Sequence, residues 1–240
     1  MSMMSRDRFR EQGGFTLVEL LVSIGSGMVL MLALFSVLDI STTQSARSID
    51  RVESSQRGRT AIEELIQQLH SSCVSATVAP VLTTSDGTTL KFVSQMGSAA
   101  VLTPNQHVVT VQADGVKPYN DLVDKVYPST GGTAPNWTFA TTPTVTKTLA
   151  ENVSQASVGG TTQPYFQYFS YSNGNISTTP LTVPLSATDA ASAVQVTVNL
   201  AVGPTDGSTD ARRTTNLTDA VVLRYIPAIG STSVANLPCQ

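Results

Sequence analysis

The sequence has little of what metal centres and nucleic-acid surfaces require. Charged residues make up 13% of the 240 residues, about half the share in an average soluble domain. The net charge of −3 gives no broad basic field for nucleic acid, so no nucleic-acid site is expected. A four-ligand zinc site would need every cysteine and histidine of the chain, at an unsuitable spacing: His70, Cys73, His107 and Cys239. We therefore expect no metal and no other cofactor.

Proline is absent from residues 1–79, and all twelve prolines lie between Pro80 and Pro238. Because proline interrupts helices, this absence permits one long helix. The segment from Leu20 to Leu38 contains no charged residue. As a helix it is about 28 Å long, close to the thickness of a bilayer core. The arginines that precede it predict a cytoplasmic N-terminus and a single membrane pass; they are Arg6, Arg8 and Arg10.

Beyond Asp39 the apolar residues recur at steps of three and four, which is the spacing of one helical face. They are Ala46, Ile49, Val52, Ile62, Leu65, Ile66 and Leu69. We predict one helix from Phe15 to about Ser72, with the face from Ile49 to Leu69 packed on the rest of the protein. Gly58 is expected to bend or soften this helix, because glycine is about 1 kcal/mol less favourable than alanine in a helix.

From Pro80 onward, segments rich in β-branched and aromatic residues predict strands. They are Thr89–Val93, Val108–Gln112, Tyr165–Tyr171, Val194–Val202 and Ala220–Ile226. Asn173-Gly174 predicts a hairpin turn, and Asp121 to Lys125 an exposed turn or short helix. The predicted fold class is α+β, with a long N-terminal helix packed on an antiparallel β-sheet domain. Its predicted parts are residues 1–14, 15–40 (membrane-spanning), 41–79 (amphipathic) and 80–240 (β-rich).

An apolar helix after a short polar leader is also typical of a signal anchor or a cleaved secretory signal peptide. Three observations argue against both. No small-residue cleavage site follows the apolar segment, and an amphipathic helix follows it instead of a flexible stalk. In addition, Glu19 lies at the entrance of the apolar helix, where a charge is costly and usually functional.

The segment GGFTLVELLVS, from Gly13 to Ser23, resembles the class III signal of type IV prepilins and type II secretion pseudopilins. The resemblance implies that a prepilin peptidase cuts after Gly14 on the cytoplasmic side and that Phe15 becomes the N-methylated first residue. Glu19 is then the fifth mature residue, where this family has its acid. An unpaired carboxylate near hydrocarbon costs several kcal/mol. Pairing of Glu19 with the Phe15 amine of a neighbouring subunit would relieve this cost and set the register of a helical assembly.

Later segments resemble J-type minor pseudopilins and W-type minor pilins. They are RGRTAIEELIQQLHSS, from Arg57 to Ser72, and DAVVLRYIP, from Asp219 to Pro227. We expect a minor pilin-like subunit that is assembled into, or primes, a type IV pilus. A J-type pseudopilin is the alternative within the class, and a membrane-anchored extracytoplasmic ligand-binding domain is the alternative from another class. The resemblance implies the inner membrane, then a filament, as the location, and other pilins and an inner-membrane assembly platform as partners.

Other candidate residues have simpler interpretations. No common enzyme motif is present, and we expect no catalytic activity. The loop from Asp206 to Asp210 is predicted as a solvated turn rather than a calcium site. His70 and His107 are expected in surface or partly buried polar positions, and the aromatic segment from Tyr165 to Tyr171 as a central strand covered on both faces. Cys73 and Cys239 are expected to form a disulfide outside the cytoplasm.

Overall fold

The computed structural model describes residues 16–73, 78–95, 103–113, 115, 117, 119–133, 136–172, 174–208 and 210–223. The helices are α1 (Leu17–His70) and α2 (Ala187–Ser192). The strands are β1 (Thr89–Ser94), β2 (Asn105–Ala113), β3 (Asn120–Gly131), β4 (Thr138–Phe139), β5 (Val145–Gln155), β6 (Ser157–Val158), β7 (Thr161–Thr162), β8 (Phe166–Ser172), β9 (Asn175–Ile176), β10 (Ala193–Val202) and β11 (Thr215–Val222). The chain divides into two compact units, Met1–Ala46 and Arg47–Gln240.

Antiparallel pairing joins the strands of the second unit. Within the described residues, nine strands form one sheet with the order β1-β2-β3-β5-β10-β8-β9, to which β4 is added at β3 and β11 at β10. β10 pairs with β11 over residues 195–202, and on its other side with β8 over residues 193–198 and β5 over residues 200–202. The predicted α+β class, with a helix on an antiparallel sheet, is therefore confirmed at this level.

The apolar face of α1 in the second unit packs on this sheet. Ile62, Leu65 and Leu69 are at most 4% exposed and belong to one core cluster with Leu90 and Phe92 of β1. Complete burial of one such aliphatic side chain stabilises the fold by about 1.5–3 kcal/mol. Several buried side chains of this kind therefore hold the C-terminal part of α1 on the strands.

The buried face of α1 is shorter than predicted. Ile49 is 63% exposed and Val52 is 55% exposed, so the prediction that they pack on the sheet is wrong. Burial begins at Ser54 and Gly58. The side chains of Ile49 and Val52 lie in a row with helical spacing, but no part of the described sheet reaches them.

Gly58 marks a close approach of helix and sheet. A Cβ atom at this position would overlap Leu217 Cδ1 and would lie 2.9 Å from Val202 Cγ2. The helix is continuous through this position. Glycine fits here because the side chains of Val202 in β10 and Leu217 in β11 lie where its own side chain would be.

The region from Asp121 to Lys125 is not an exposed turn or short helix but part of β3. Asp124 is 1% exposed and Asp121 is 7% exposed. Each has a partner distant in sequence: Asp124 Oδ2 lies 2.9 Å from His107 Nδ1, and Asp121 Oδ1 accepts a hydrogen bond from the Asn152 backbone N–H. These partners allow acidic residues to occupy a buried strand.

The predicted hairpin at Gly174 is confirmed. Ser172 pairs with Asn175 across a two-residue turn, and Gly174 has φ of +81°, which a two-residue hairpin turn favours. The aromatic strand before it is covered less than predicted. Phe166 and Tyr168 are buried on one face. On the other face Tyr165 is buried, Phe169 is half-buried and Tyr171 is 60% exposed, so this face leaves the core towards the end of the strand.

Candidate functional site

The first turn of α1 is capped by its own sequence. The Thr16 side-chain oxygen accepts a hydrogen bond from the Glu19 N–H at 3.3 Å, and the Leu20 N–H donates to the Thr16 carbonyl at 3.1 Å. Thr-x-x-Glu is the spacing of a capping box. Glu19 therefore lies in the first turn of the helix, where the helix dipole favours a negative charge.

The apolar segment after Glu19 has no cover from the part of the chain that the structure describes. An 18-residue window of α1 has a mean hydropathy of 2.3 and is 0% buried. Its large side chains are exposed on every side of the helix, for example Leu21 at 62%, Met31 at 75% and Phe35 at 71%. A helix that is apolar all round requires an apolar environment. This helix is long and apolar enough to span a membrane.

The few hydroxyl groups inside the apolar segment are satisfied within the helix. Ser23 donates to the Glu19 carbonyl, Ser26 to the Ser23 carbonyl, and Ser36 to the Leu32 carbonyl. A hydroxyl without a partner would be costly in hydrocarbon. These bonds remove that cost. From Leu17 to Leu38, Glu19 is then the one charged residue for which burial in an apolar environment is costly.

Gly25 and Gly27 do not interrupt the helix, and a Cβ atom at either would meet nothing within 4 Å. The missing side chain at Gly27 leaves a notch bordered by Ile24, Met28 and Met31. The helix is therefore not unwound at these described residues. The notch is a shape against which another helix can pack closely.

Gly14 and Phe15, the predicted cleavage and methylation positions, lie outside the described residues, and so does Cys239. Cys73 is 1% exposed and disulfide-bonded. Its backbone N–H donates to the Val93 carbonyl at 2.7 Å. This contact fixes the segment that follows α1 against β1, while the pairing of Cys73 with Cys239 stays a prediction.

Two arginines join α1 to the connection between β10 and β11. Arg57 Nη2 donates to the Gly203 carbonyl at 2.8 Å. The Arg213 guanidinium donates from Nε to Asp50 at 2.7 Å and from Nη2 to Asp206 at 2.6 Å. We call these bonds the hairpin clasp. Its partners are distant in the chain, so no local pattern predicts it; the one sequence feature at this place is the pair of adjacent basic residues, Arg212 and Arg213.

The hairpin clasp also explains the acidic loop between β10 and β11. The hydrogen bond from the Ser208 N–H and the contact with Arg213 lower the pKa of Asp206 below its ordinary value. Asp210 accepts a hydrogen bond from the Arg212 N–H. The carboxylates of Asp206 and Asp210 accept hydrogen bonds from N–H groups of the same loop and of Arg213. Among the described residues they do not belong to a cluster of acidic or histidine side chains that could hold a metal ion.

His107 occupies a buried position between β1 and β3. Its ring stacks on Phe92 at 5.0 Å between ring centres, and its Nδ1 contacts Asp124. The distance of 2.9 Å between Nδ1 and Asp124 Oδ2 is that of a hydrogen bond. A histidine next to an acid is part of many catalytic groups, but the described residues place no nucleophile against His107, and its stacking indicates a role in the core.

Comparison with protein-family models, with curated proteins and with solved structures finds no match to this chain. The function is therefore argued from the residues described above.

Proposed function

We propose that this protein is a minor pilin-like structural subunit, which is processed by a prepilin peptidase and assembled into, or primes, a type IV pilus. The observation that supports it most is the helix exposed over its whole apolar length, with a single acid in its first turn. An ordinary membrane anchor needs the apolar length but does not need Glu19. The sequence around Gly14, Phe15 and Glu19 adds the resemblance to prepilins.

The apolar helix has two apolar environments in this proposal. Before assembly it lies in the cytoplasmic membrane with its N-terminus on the cytoplasmic side. After assembly it packs against the same helices of other subunits. The Gly27 notch favours close packing between helices, which in lipid depends on shape rather than on the hydrophobic effect. An assembly platform in the inner membrane transfers the subunit between these environments.

Glu19 acts in this proposal as the register contact. A carboxylate among packed apolar helices is costly unless it is paired. The N-methylated amine of Phe15 on a neighbouring subunit supplies the opposite charge. Because the pair repeats from subunit to subunit with the same offset, it defines a helical, non-closing assembly.

Processing is the experiment that tests the proposal. Intact-mass and N-terminal peptide analysis of the protein from its native host should find a chain that begins with N-methyl-Phe15. A control host that lacks the peptidase should yield the full leader. A retained leader in the presence of active peptidase would indicate instead a membrane-anchored extracytoplasmic binding domain, the alternative from another class.

Glu19→Ala tests the register contact. We expect normal cleavage, a folded second unit and strongly reduced incorporation into filaments, because an amine is left unpaired in a helix bundle. Glu19→Gln should be milder if hydrogen bonding rather than charge sets the register. Asp39→Asn is the matched control, since it removes an acid at the other end of the apolar segment. Co-purification with partner pilins and filament counts measure incorporation, and unchanged incorporation of Glu19→Ala would remove the register argument.

A further inference from the structure

One edge of β11 pairs with no strand among the described residues. The Leu223 N–H donates to the Val194 carbonyl at 2.8 Å, which fixes the alternation of bonded and non-bonded pairs along β10 and β11. The bonded residues of β11 are therefore the odd-numbered ones. The backbone N–H and C=O groups of the even-numbered residues point away from β10; these residues are Asn216, Thr218, Ala220 and Val222. We call this row the β11 edge.

The other outer strands of the sheet are covered by the chain. Along β1, the Leu82 N–H donates to the Lys91 carbonyl at 2.8 Å, and the segment after α1 bonds at Val93. Along β8, beyond the short β9 pairing, the Leu181 N–H donates to the Tyr168 carbonyl at 2.7 Å. Such covers prevent unwanted strand pairing. No comparable cover lies along the β11 edge among the described residues.

One backbone donor of the β11 edge is occupied locally. The Ala220 N–H donates to the Asp219 carboxylate at 2.8 Å. The N–H groups of Thr218 and Val222 on either side have no hydrogen-bond partner among the described residues, and neither does the Thr218 carbonyl. The edge therefore offers donors and acceptors at the spacing of an added strand.

A groove lies between the β11 edge and α1. Its lining includes Arg59, Ile62 and Glu63 of the helix and Leu217 and Asp219 of the strand, and its volume is about 240 Å³. Ile62 is 4% exposed and gives the floor an apolar component. Glu63 and Asp219 form no ion pair with the described residues. The groove thus combines a strand edge that no described strand pairs with and a lining of two carboxylates and one arginine, Arg59, which forms no ion pair with either carboxylate among the described residues, so the lining carries a net negative charge.

We propose that the β11 edge binds an extended segment of another polypeptide, which adds a strand to the sheet and directs a lysine or arginine side chain between Glu63 and Asp219. Backbone bonds supply the affinity in this mode of recognition, and side-chain pockets supply the specificity. The β11 edge of a second copy does not fit, because antiparallel self-pairing places the two Asp219 carboxylates on one face of neighbouring strands, and like charges destabilise such pairs.

Amide hydrogen exchange tests the proposal on the full chain in detergent micelles. The probe is a capped seven-residue peptide of alternating threonine and valine with a central lysine, and the matched probe carries glutamate in its place. We expect fast exchange at Thr218 and Val222 without peptide. The lysine peptide at millimolar concentration should slow exchange at both amides about tenfold, whereas the glutamate peptide should slow it clearly less.

Two variants separate the charge contribution from the backbone contribution. Glu63→Gln with Asp219→Asn should weaken binding of the lysine peptide about threefold, the range of an exposed ion pair. Asp39→Asn, an exposed acid outside the groove, should leave binding unchanged. Slow exchange at Thr218 and Val222 before any peptide is added would show that the edge is already covered and would overturn the proposal. Absence of protection by the lysine peptide, or equal protection by both peptides, would overturn it as well.

Discussion

Replacement of Gly58 by alanine tests how closely α1 approaches the sheet. The added methyl group would overlap Leu217 Cδ1 and lie 2.9 Å from Val202 Cγ2. Overpacking of this kind costs about 1–3 kcal/mol. The better helix propensity of alanine returns up to about 1 kcal/mol. Leu217 is half-buried and its terminal methyl can move, whereas Val202 is fully buried in β10 and is fixed. We expect a net loss of about 1 kcal/mol.

Urea unfolding of the protein in detergent measures this loss through Trp137, the single tryptophan, which packs on the cluster of Cys73, Val78 and Val93. In a Leu217→Ala background the same Gly58→Ala change should cost about 1 kcal/mol less, because the overlapping atom is gone. Gly25→Ala is the control, since a Cβ atom there meets nothing within 4 Å. A stabilised Gly58→Ala protein, or equal costs in both backgrounds, would refute the packing argument.

Three further changes have defined outcomes. The pKa of Asp206 is lowered in the folded protein, so this residue contributes stability that is complete above its ordinary pKa of 3.8 and is lost as pH falls through the lower folded pKa. Arg213→Gln should reduce this loss of stability in acid, which thermal melts at a series of pH values measure. Asp124→Ala leaves His107 buried without its acceptor and should cost about 2–3 kcal/mol in urea unfolding, and a cost near zero would contradict the buried pair. Reduction of the disulfide at Cys73 should lower stability by about 2–4 kcal/mol, and a non-reducing peptide map that shows a free thiol there would remove this expectation.

The features that depend on local composition were predictable from the sequence. The absence of proline before Pro80 and the apolar segment from Leu20 to Leu38 predict a helix from Phe15 to about Ser72. The observed helix, Leu17–His70, differs from this by two residues at each end. The β-branched segments predict β1, β2, β8, β10 and part of β11, because in each of them one face or both are apolar. The last of these strands begins at Thr215, earlier than expected, since its first residues are polar and exposed on the face away from the helix.

The features that depend on distant partners were not predictable. β3 and β5 are long central strands that no sequence signal identified, because β3 carries Asp121, Asp124 and Pro128, and β5 carries Lys147 and Glu151. The buried aspartates are explained only by partners distant in sequence. Gly58 has the same explanation, since a glycine that fits against two strands cannot be distinguished in sequence from one that weakens a helix.

The hairpin clasp has a mechanical consequence. Tension along α1 at Asp50 reaches the charged bonds of Arg213 and the Arg57–Gly203 bond before it reaches the apolar contacts that begin near Ala61. Gly203 directly follows β10, and Arg213 lies just before β11, which pairs with β10. β10 in turn pairs on its other side with β5 and β8. A pull on the helix is therefore distributed over β10 and the three strands that pair with it, rather than over one strand alone.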